Sequence, residues 1–278
     1  MFDSINWEAP WLAGLRGLAI PILQADDWRA ALNAAASAKS LSNRQGLPIR
    51  FVPQAELPAG IAYEAHIGAT GCVPTRSNLH DFFNALVWLA YPQIKQQLNA
   101  LQAAEIARLN AMRLDPDTAS APRGKLRDAT TIFDENAALF VTADASLAAA
   151  LRAHQWQELF VARRTAFGAV CRVQLFGHAL LEKLVAPYKA ITAHAWVLVV
   201  EPEFLRLPER EQAAQLDRVV SAQLEIGLTT ASFTPLPVLG VPGWCDVQDQ
   251  DFYADRTVFR PERLLRVTTP LPGPRTRA

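Results

Sequence analysis

The chain has 278 residues, half of them hydrophobic, and Lys plus Arg balance Asp plus Glu at 27 each. That is enough apolar sequence for a large core, whereas a formal charge of zero gives no field to hold a polyanion or an acidic membrane surface, so nucleic-acid binding lacks its electrostatic footprint. Cys72, Cys171 and Cys245 are scattered and form no CxxC pair, which argues against a disulfide framework or a thiolate zinc site and fits a reduced, cytoplasmic setting.

At the amino end, MFDSINWEAPWLAGLRGLAIPIL has Asp3 and Glu8 ahead of its apolar stretch and no AxA cleavage site, so it does not read as a signal peptide. No apolar run approaches the ~20 residues needed to span a bilayer, and a soluble protein is expected. DDWRAALNAAASA, with Trp28, Leu32 and Ala36 at helical spacing behind an acidic start, predicts a helix. IRFV and IAYEAHI both suit strands and predict a hairpin in which Glu64 and His66 share one face.

GATGCVPT is a turn-rich connector, after which Ser77 or Asn78 can cap a helix running to Pro92. Pro92 can open the next helix, PQIKQQLNALQAAEIARLNAMR, whose Ile94, Leu98, Leu101, Ile106 and Leu109 make one apolar face. LDPDTASAPRGK is a polar loop and the segment expected to be mobile. In RDATTIFDENAALFVTAD, strand-like TTIF and ALFV flank DENA and predict a second hairpin.

SLAAALRAHQWQELFVARR and VCRVQLFGHALLEKLVA read as helices, HAWVLVV as a strand, and PEREQAAQLDRVVSAQL as an amphipathic surface helix. From Phe233 the chain is proline-rich and is expected to wrap the core irregularly, with FYADRTVFRP as a dense aromatic and polar cluster. The sum is an α+β protein: one helix-rich domain over residues 1–278, with a small mixed or antiparallel sheet and an irregular segment over 233–278.

Three constellations can carry chemistry. In TRSNLHDFFNALVWLAYP, His80 and Asn84 share a helix face with Trp88, and Asp81 lies beside Asn84, so three polar groups meet on one edge of an otherwise apolar helix. Burying them without partners costs on the order of 1–3 kcal/mol each, so the edge must face water, other polar groups or an ion. Capping by Asn78 with Asp81 accounts for Asp81 but not for His80 or Asn84.

The second constellation is Arg127 and Asp128 ahead of Asp134, Glu135 and Asn136. Adjacent oxygen ligands suit a hard cation or an acid and base pair, while a solvated hairpin tip is the simpler explanation. In the third, FGHALLEKL, His178 and Glu182 are i and i+4, so the carboxylate can hold one ring nitrogen and leave the other to bind a metal or move a proton; a satisfied core histidine is the plainer alternative. His194 can join them, and His154 reads as surface. No GxSxG elbow, Walker loop or GxGxxG is present.

GATGCVPTRSNLHDFFNALVWLAYPQIKQQLNALQ, joined to RDATTIFDENAAL, FGHALLEKL and FYADRTVFRP, resembles an uncharacterised bacterial family catalogued as domain of unknown function 3025. The resemblance runs over most of the chain, marks the helix beginning at Asn78 as a signature and implies a soluble bacterial domain, without assigning roles to residues. Ala137, where glycine would suit a tight turn after DEN, counts against positive φ there.

Two kinds of function follow. As an enzyme, the chain would be a hydrolase in which a divalent metal on His80, Asp81, Asp128, Asp134, Glu135 or His178 activates water, with Glu182 orienting and Asn84 donating to substrate. Arg76 or Arg127 would hold a small anionic substrate such as a phosphate or carboxylate ester. As a binding or assembly protein, the same side chains would form a structural hydrogen-bond network. An open pocket lined by His80, Asp81 and His178 favours the first, and a sealed core the second.

Overall fold

The computed structural model describes residues 2–113 and 124–262. The loop expected to be mobile falls mainly on 114–123, and the end of the proline-rich segment on 263–278, both outside the described residues.

Helices α1 (Ala13–Leu23) and α2 (Trp28–Ala38) open the fold, α2 capped by Asp27, whose carboxylate accepts from the amides of Arg29 and Ala30. Strand β1 (Arg50–Pro53) follows, then α3 (Tyr63–Thr70) and β2 (Cys72–Thr75), and β1 pairs with β2 in parallel. The expected hairpin of IRFV with IAYEAHI is therefore corrected. Its second half is helical, and β1 pairs instead with the stretch expected to be a connector. Tyr63 and Ile67 stand one helical turn apart, and Gly71 closes the helix at φ 71° with its N–H on the Ile67 carbonyl, a left-handed cap that glycine adopts at least cost.

Helix α4 (Leu79–Ala90) is buried from Asp81 to Leu89, in agreement with its nearly unbroken apolar sequence, and α5 (Pro92–Arg113) begins two residues after it ends. The reading of TTIF and ALFV as a hairpin is also corrected. Residues Lys125–Asn136 form one helix, α6, that runs directly into strand β3 (Ala137–Thr142), and Ala137 lies in ordinary extended backbone at φ −75°. Ala129 and Phe133 make the buried stripe of α6, so packing overrides the strand preference of its threonines and isoleucine.

After β3 come α7 (Ala145–Arg152), a π-helical turn at Glu158–Ala162, and α8 (Arg164–Val170), so the long helix expected here is interrupted near His154, which has φ 51°. Strand β4 (Cys171–Leu175) and the short helix α9 (His178–Lys183) replace the continuous helix expected over VCRVQLFGHALLEKLVA; Cys171, Val173 and Leu175 alternate with Arg172 and Gln174, which is a strand period. Strand β5 (Thr192–Val199) and helix α10 (Glu209–Ile226) fall where expected. The segment beyond Phe233 is more regular than expected, with β6 (Thr234–Pro237) and α11 (Gln250–Ala254).

The larger sheet has the order β4-β3-β5-β6, mixed as expected: β3 is antiparallel to β4 and parallel to β5, and β5 is antiparallel to β6. Every residue of β3 is buried, so both its faces are covered, whereas β6 carries Pro235 and Pro237 at the edge, where a missing N–H is tolerated. The architecture is α+β and helix-rich. Among the described residues no helix is long and apolar enough to cross a membrane.

Candidate functional site

Helices α3, α4, α6 and α9 meet beside the larger sheet and enclose a pocket of about 310 Å³. Its walls include Tyr63 and Glu64 of α3, His80, Asp81 and Asn84 of α4, Asp134 and Glu135 of α6, and His178 of α9, with Gln54, Leu57 and Arg76 completing them. Burial is graded across it. His178 and Asp134 form the floor at 5% and 9% side-chain exposure, while His80, Glu135, Glu182 and Arg76 remain open to solvent at 30–56%.

Close packing brings these helices together. A methyl group on Gly177 would lie 2.5 Å from the Glu135 carbonyl oxygen and from the Asn136 nitrogen, so only glycine lets the start of α9 rest on the end of α6. His178 is thereby carried against Asp134 and Glu135. The Asn78 side chain caps α4 by accepting from the Asp81 amide at 2.8 Å, as expected. The Asp81 carboxylate does not complete a capping box. It accepts instead from the Arg76 backbone N–H at 2.6 Å and from the Arg76 guanidinium at 2.9 and 3.0 Å, which fixes the approach to the helix.

At the centre, Nε2 of His80 and Nε2 of His178 are 3.1 Å apart, and Oε2 of Glu135 lies 3.4 Å from the latter. One donor atom each from His80, Glu135 and His178 falls within 4.8 Å of the others. Behind this centre, Nδ1 of His80 is 3.0 Å from Oε2 of Glu182, and Nδ1 of His178 faces Oδ1 of Asp134 at 3.9 Å. The expected pairing of His178 with Glu182 inside one helix is thus replaced. Glu182 holds His80 of α4 instead.

Hydrogen placement follows from these contacts. A carboxylate only accepts, so Glu182 requires the proton of His80 on Nδ1 and leaves its Nε2 with a lone pair. If His178 carries its proton on Nε2, it can donate to His80, but its own Nδ1 becomes a buried lone pair beside Asp134 with no donor. If the proton sits on Nδ1, two Nε2 lone pairs face one another and Glu135. Neither neutral tautomer of His178 pairs both of its ring nitrogens with neighbouring side chains, and the facing donor atoms of His80, His178 and Glu135 form a group that could hold a metal ion.

Lys95, absent from the residues picked out in sequence, sets the electrostatics of the floor. Its ammonium donates to Asn84 Oδ1 at 2.9 Å and to Asp134, and lies over the Trp88 ring. Burial alone would raise the Asp134 pKa, but Lys95, His178 and His80 outweigh it and hold the group below its ordinary range. Burial first, then the Lys95 and His80 charges, lower His178 to about 4 against the pull of Asp134, so its imidazole is neutral near pH 7. Burial and Asp134 push Glu135 up; burial likewise raises Glu64, with Asp134 adding and Lys95 opposing.

Asp128 and Arg127 lie on the exposed side of α6 and do not join the pocket. Of the two arginines expected as alternatives for holding an anion, Arg76 lines the pocket with two guanidinium nitrogens on Asp81, and Arg127 lies outside it. Of the six expected metal ligands, His80, Glu135 and His178 present donor atoms to one another, whereas Asp81 and Asp134 are engaged by Arg76 and Lys95. His194 is on β5 against Phe233, and His154 is half-buried and stacks on Trp156, both away from the centre.

Tyr63, Glu64 and Lys95 were missed in sequence. Lys95 and Asn99 stand beside Ile94 and Leu98 in the buried phase of α5, where unpaired polar residues would be expensive; this was the available signal. Tyr63 and Glu64 were hidden by the strand reading.

A family model described as protein of unknown function DUF3025 matches residues 49–263. The chain belongs to the DUF3025 family. The residues lining the pocket, from Gln54 to His178, all fall inside the DUF3025 match, as do Lys95 and Glu182, which contact them. No curated protein and no solved structure matches the chain.

Proposed function

We propose that the pocket is a divalent-metal centre with His80, His178 and Glu135 as ligands, and that the protein is a metal-assisted hydrolase. The observation carrying this reading is the convergence of two Nε2 atoms and one carboxylate oxygen, with His80 Nδ1 hydrogen-bonded to Glu182 at 3.0 Å and His178 Nδ1 facing Asp134 at 3.9 Å. Carboxylate behind histidine behind metal is a recurrent construction, because the outer acid fixes the tautomer and raises the basicity of the ligand nitrogen. Ligands ~2.0–2.1 Å from zinc at the tetrahedral angle lie roughly 3.3–3.4 Å apart; His178 is 3.1 Å from His80 and 3.4 Å from Glu135, while the third pair, His80 with Glu135, is wider but within 4.8 Å and would draw in around an ion.

Charge points the same way. Glu64, Asp81, Asp134, Glu135 and Glu182 surround the site against Arg76 and Lys95, so the pocket favours a cation. A bound divalent ion supplies water of lowered pKa. The chain's own part is to keep His178 neutral as a ligand, hold His80 through Glu182, and leave the mouth open beside Arg76. A second reading rests on the same donors, since two histidines and a carboxylate also form oxygen-activating iron sites.

The test is metal content of the purified protein by elemental analysis, repeated on His80→Ala and His178→Ala. About one zinc per chain, lost in both variants, is expected. Iron in its place selects the second reading. No retained metal after loading with zinc, manganese, iron(II) or cobalt(II) would make the cluster a structural network.

A further inference from the structure

The hydrogen-bond chain along the pocket wall has only one direction. Lys95 can donate but not accept, so the atom of Asn84 facing its ammonium at 2.9 Å is the carbonyl oxygen. The amide nitrogen of Asn84 then donates to the Tyr63 hydroxyl at 3.0 Å. With that side of its oxygen used as an acceptor, Tyr63 must direct its own O–H elsewhere, and its ring lines the pocket. Burial, Glu64, Asp81 and Asp134 all hold the phenol protonated, against the smaller opposing effect of Asn84.

We propose that Tyr63 is the site's substrate-facing hydrogen-bond donor, aimed by Lys95 through Asn84 at an oxygen of the ligand, and that the ligand is an uncharged carbonyl compound such as an amide or ester. The proposal rests on the metal-centre reading for the position of the ligand. With a divalent ion counted, the five carboxylates Glu64, Asp81, Asp134, Glu135 and Glu182 still exceed the ion, Arg76 and Lys95 by one charge, and Arg76 and Lys95 are themselves engaged by Asp81 and Asp134, which disfavours phosphate and other anions. A carbonyl oxygen is uncharged on arrival and gains negative charge as the carbonyl is attacked, and a fixed O–H donor stabilises that change. Nothing is transferred from Tyr63 in this role.

The direction of the chain makes a distinctive test. In Tyr63→Phe the donor is absent. In Asn84→Asp the new carboxylate accepts from both Lys95 and Tyr63, so the hydroxyl turns away from the pocket while the phenol remains. Cobalt(II)-loaded wild type and both variants are titrated with acetohydroxamic acid, whose bound carbonyl oxygen reports the donor, and with neutral acetamide and inorganic phosphate, which compare the ligand classes, following the visible cobalt spectrum.

We expect cobalt affinity within about twofold in Tyr63→Phe, acetohydroxamate weakened about 10-fold or more in both variants, and phosphate bound more weakly than acetamide by wild type. Cobalt bound by all three with equal acetohydroxamate affinity, or with none in wild type, overturns the proposal and leaves the metal centre standing. Weakening in Tyr63→Phe alone overturns the directed chain, and tighter phosphate overturns the ligand class. No cobalt spectrum in any of them removes the metal centre and this proposal with it.

Discussion

The ammonium of Lys95 and the carboxylate of Asp134, 39 positions apart, form an ion pair at the floor of the pocket with side chains 4% and 9% exposed. Buried pairs of this kind add little net stability, because desolvation offsets their attraction, but an unpaired survivor is expensive. We therefore expect Lys95→Met to lose about 3–5 kcal/mol in urea unfolding. Adding Asp134→Leu should recover much of that loss. If the double variant is as unstable as the two single losses summed, the residues are not coupled as the contact implies.

Glu182 is hydrogen-bonded to the proposed ligand His80 at 3.0 Å, and its charge also acts on Glu135. We expect Glu182→Gln to stay folded and to weaken metal affinity about 10- to 100-fold, because the amide can offer its nitrogen as well as its oxygen to Nδ1 and no longer enforces one tautomer. Competition with a chromophoric zinc chelator reads the change. Unaltered affinity would mean that the contact does not support His80 as a ligand.

How much of this was legible in the chain depended on how far apart the partners lie. Helix α4 could be read because Asn78, an apolar run and Pro92 mark its start, body and end locally. Strand β5 could be read because HAWVLVV has little other use. TTIF was misread because its local preference is for strand, and what makes it helical is the burial of Ala129 and Phe133 against elements that the sequence does not place. His80, Asp81, Asn84, His178 and Glu182 could be nominated as polar residues in apolar surroundings, but the pairing could not. His80 meets Glu182 across 102 positions and Lys95 meets Asp134 across 39, contacts that exist only after the helices pack.

Acid stability offers a check away from the pocket. Hydrogen bonds from Ser146, then Arg163, hold Asp144 at about 2 against an ordinary value of 3.8. A carboxylate with a depressed folded pKa stabilises fully above its unfolded pKa, and that contribution is lost as pH falls through the folded value. Unfolding of wild type and Asp144→Asn should therefore differ at pH 5, and the difference should shrink as the pH is lowered from about 4 towards 2. A gap that stays constant over that interval would show that the Asp144 charge is not what stabilises the start of α7.

The most exacting position is Gly177. Its backbone φ of −59° is open to any residue, so conformational freedom is not the reason for glycine. Space is: an added methyl would meet the Glu135 carbonyl oxygen and the Asn136 nitrogen at 2.5 Å and the Asn136 Cα at 2.6 Å, all backbone atoms at the junction of α6 with β3. Backbone cannot rotate aside as a side chain can, so α9 would have to withdraw from α6. Overpacking of this sort costs about 1–3 kcal/mol, and here the displaced residues are His178 and Glu135. We expect Gly177→Ala to remain folded at reduced stability and to lose metal binding by more than Glu182→Gln does, because two ligands separate rather than one losing its support. Ala149→Gly, at an exposed position of α7 outside the pocket, supplies the control, with stability lowered by about 1 kcal/mol through helix propensity and metal affinity unchanged. Should Gly177→Ala bind metal as wild type does, the closeness of α6 and α9 is not what assembles the centre.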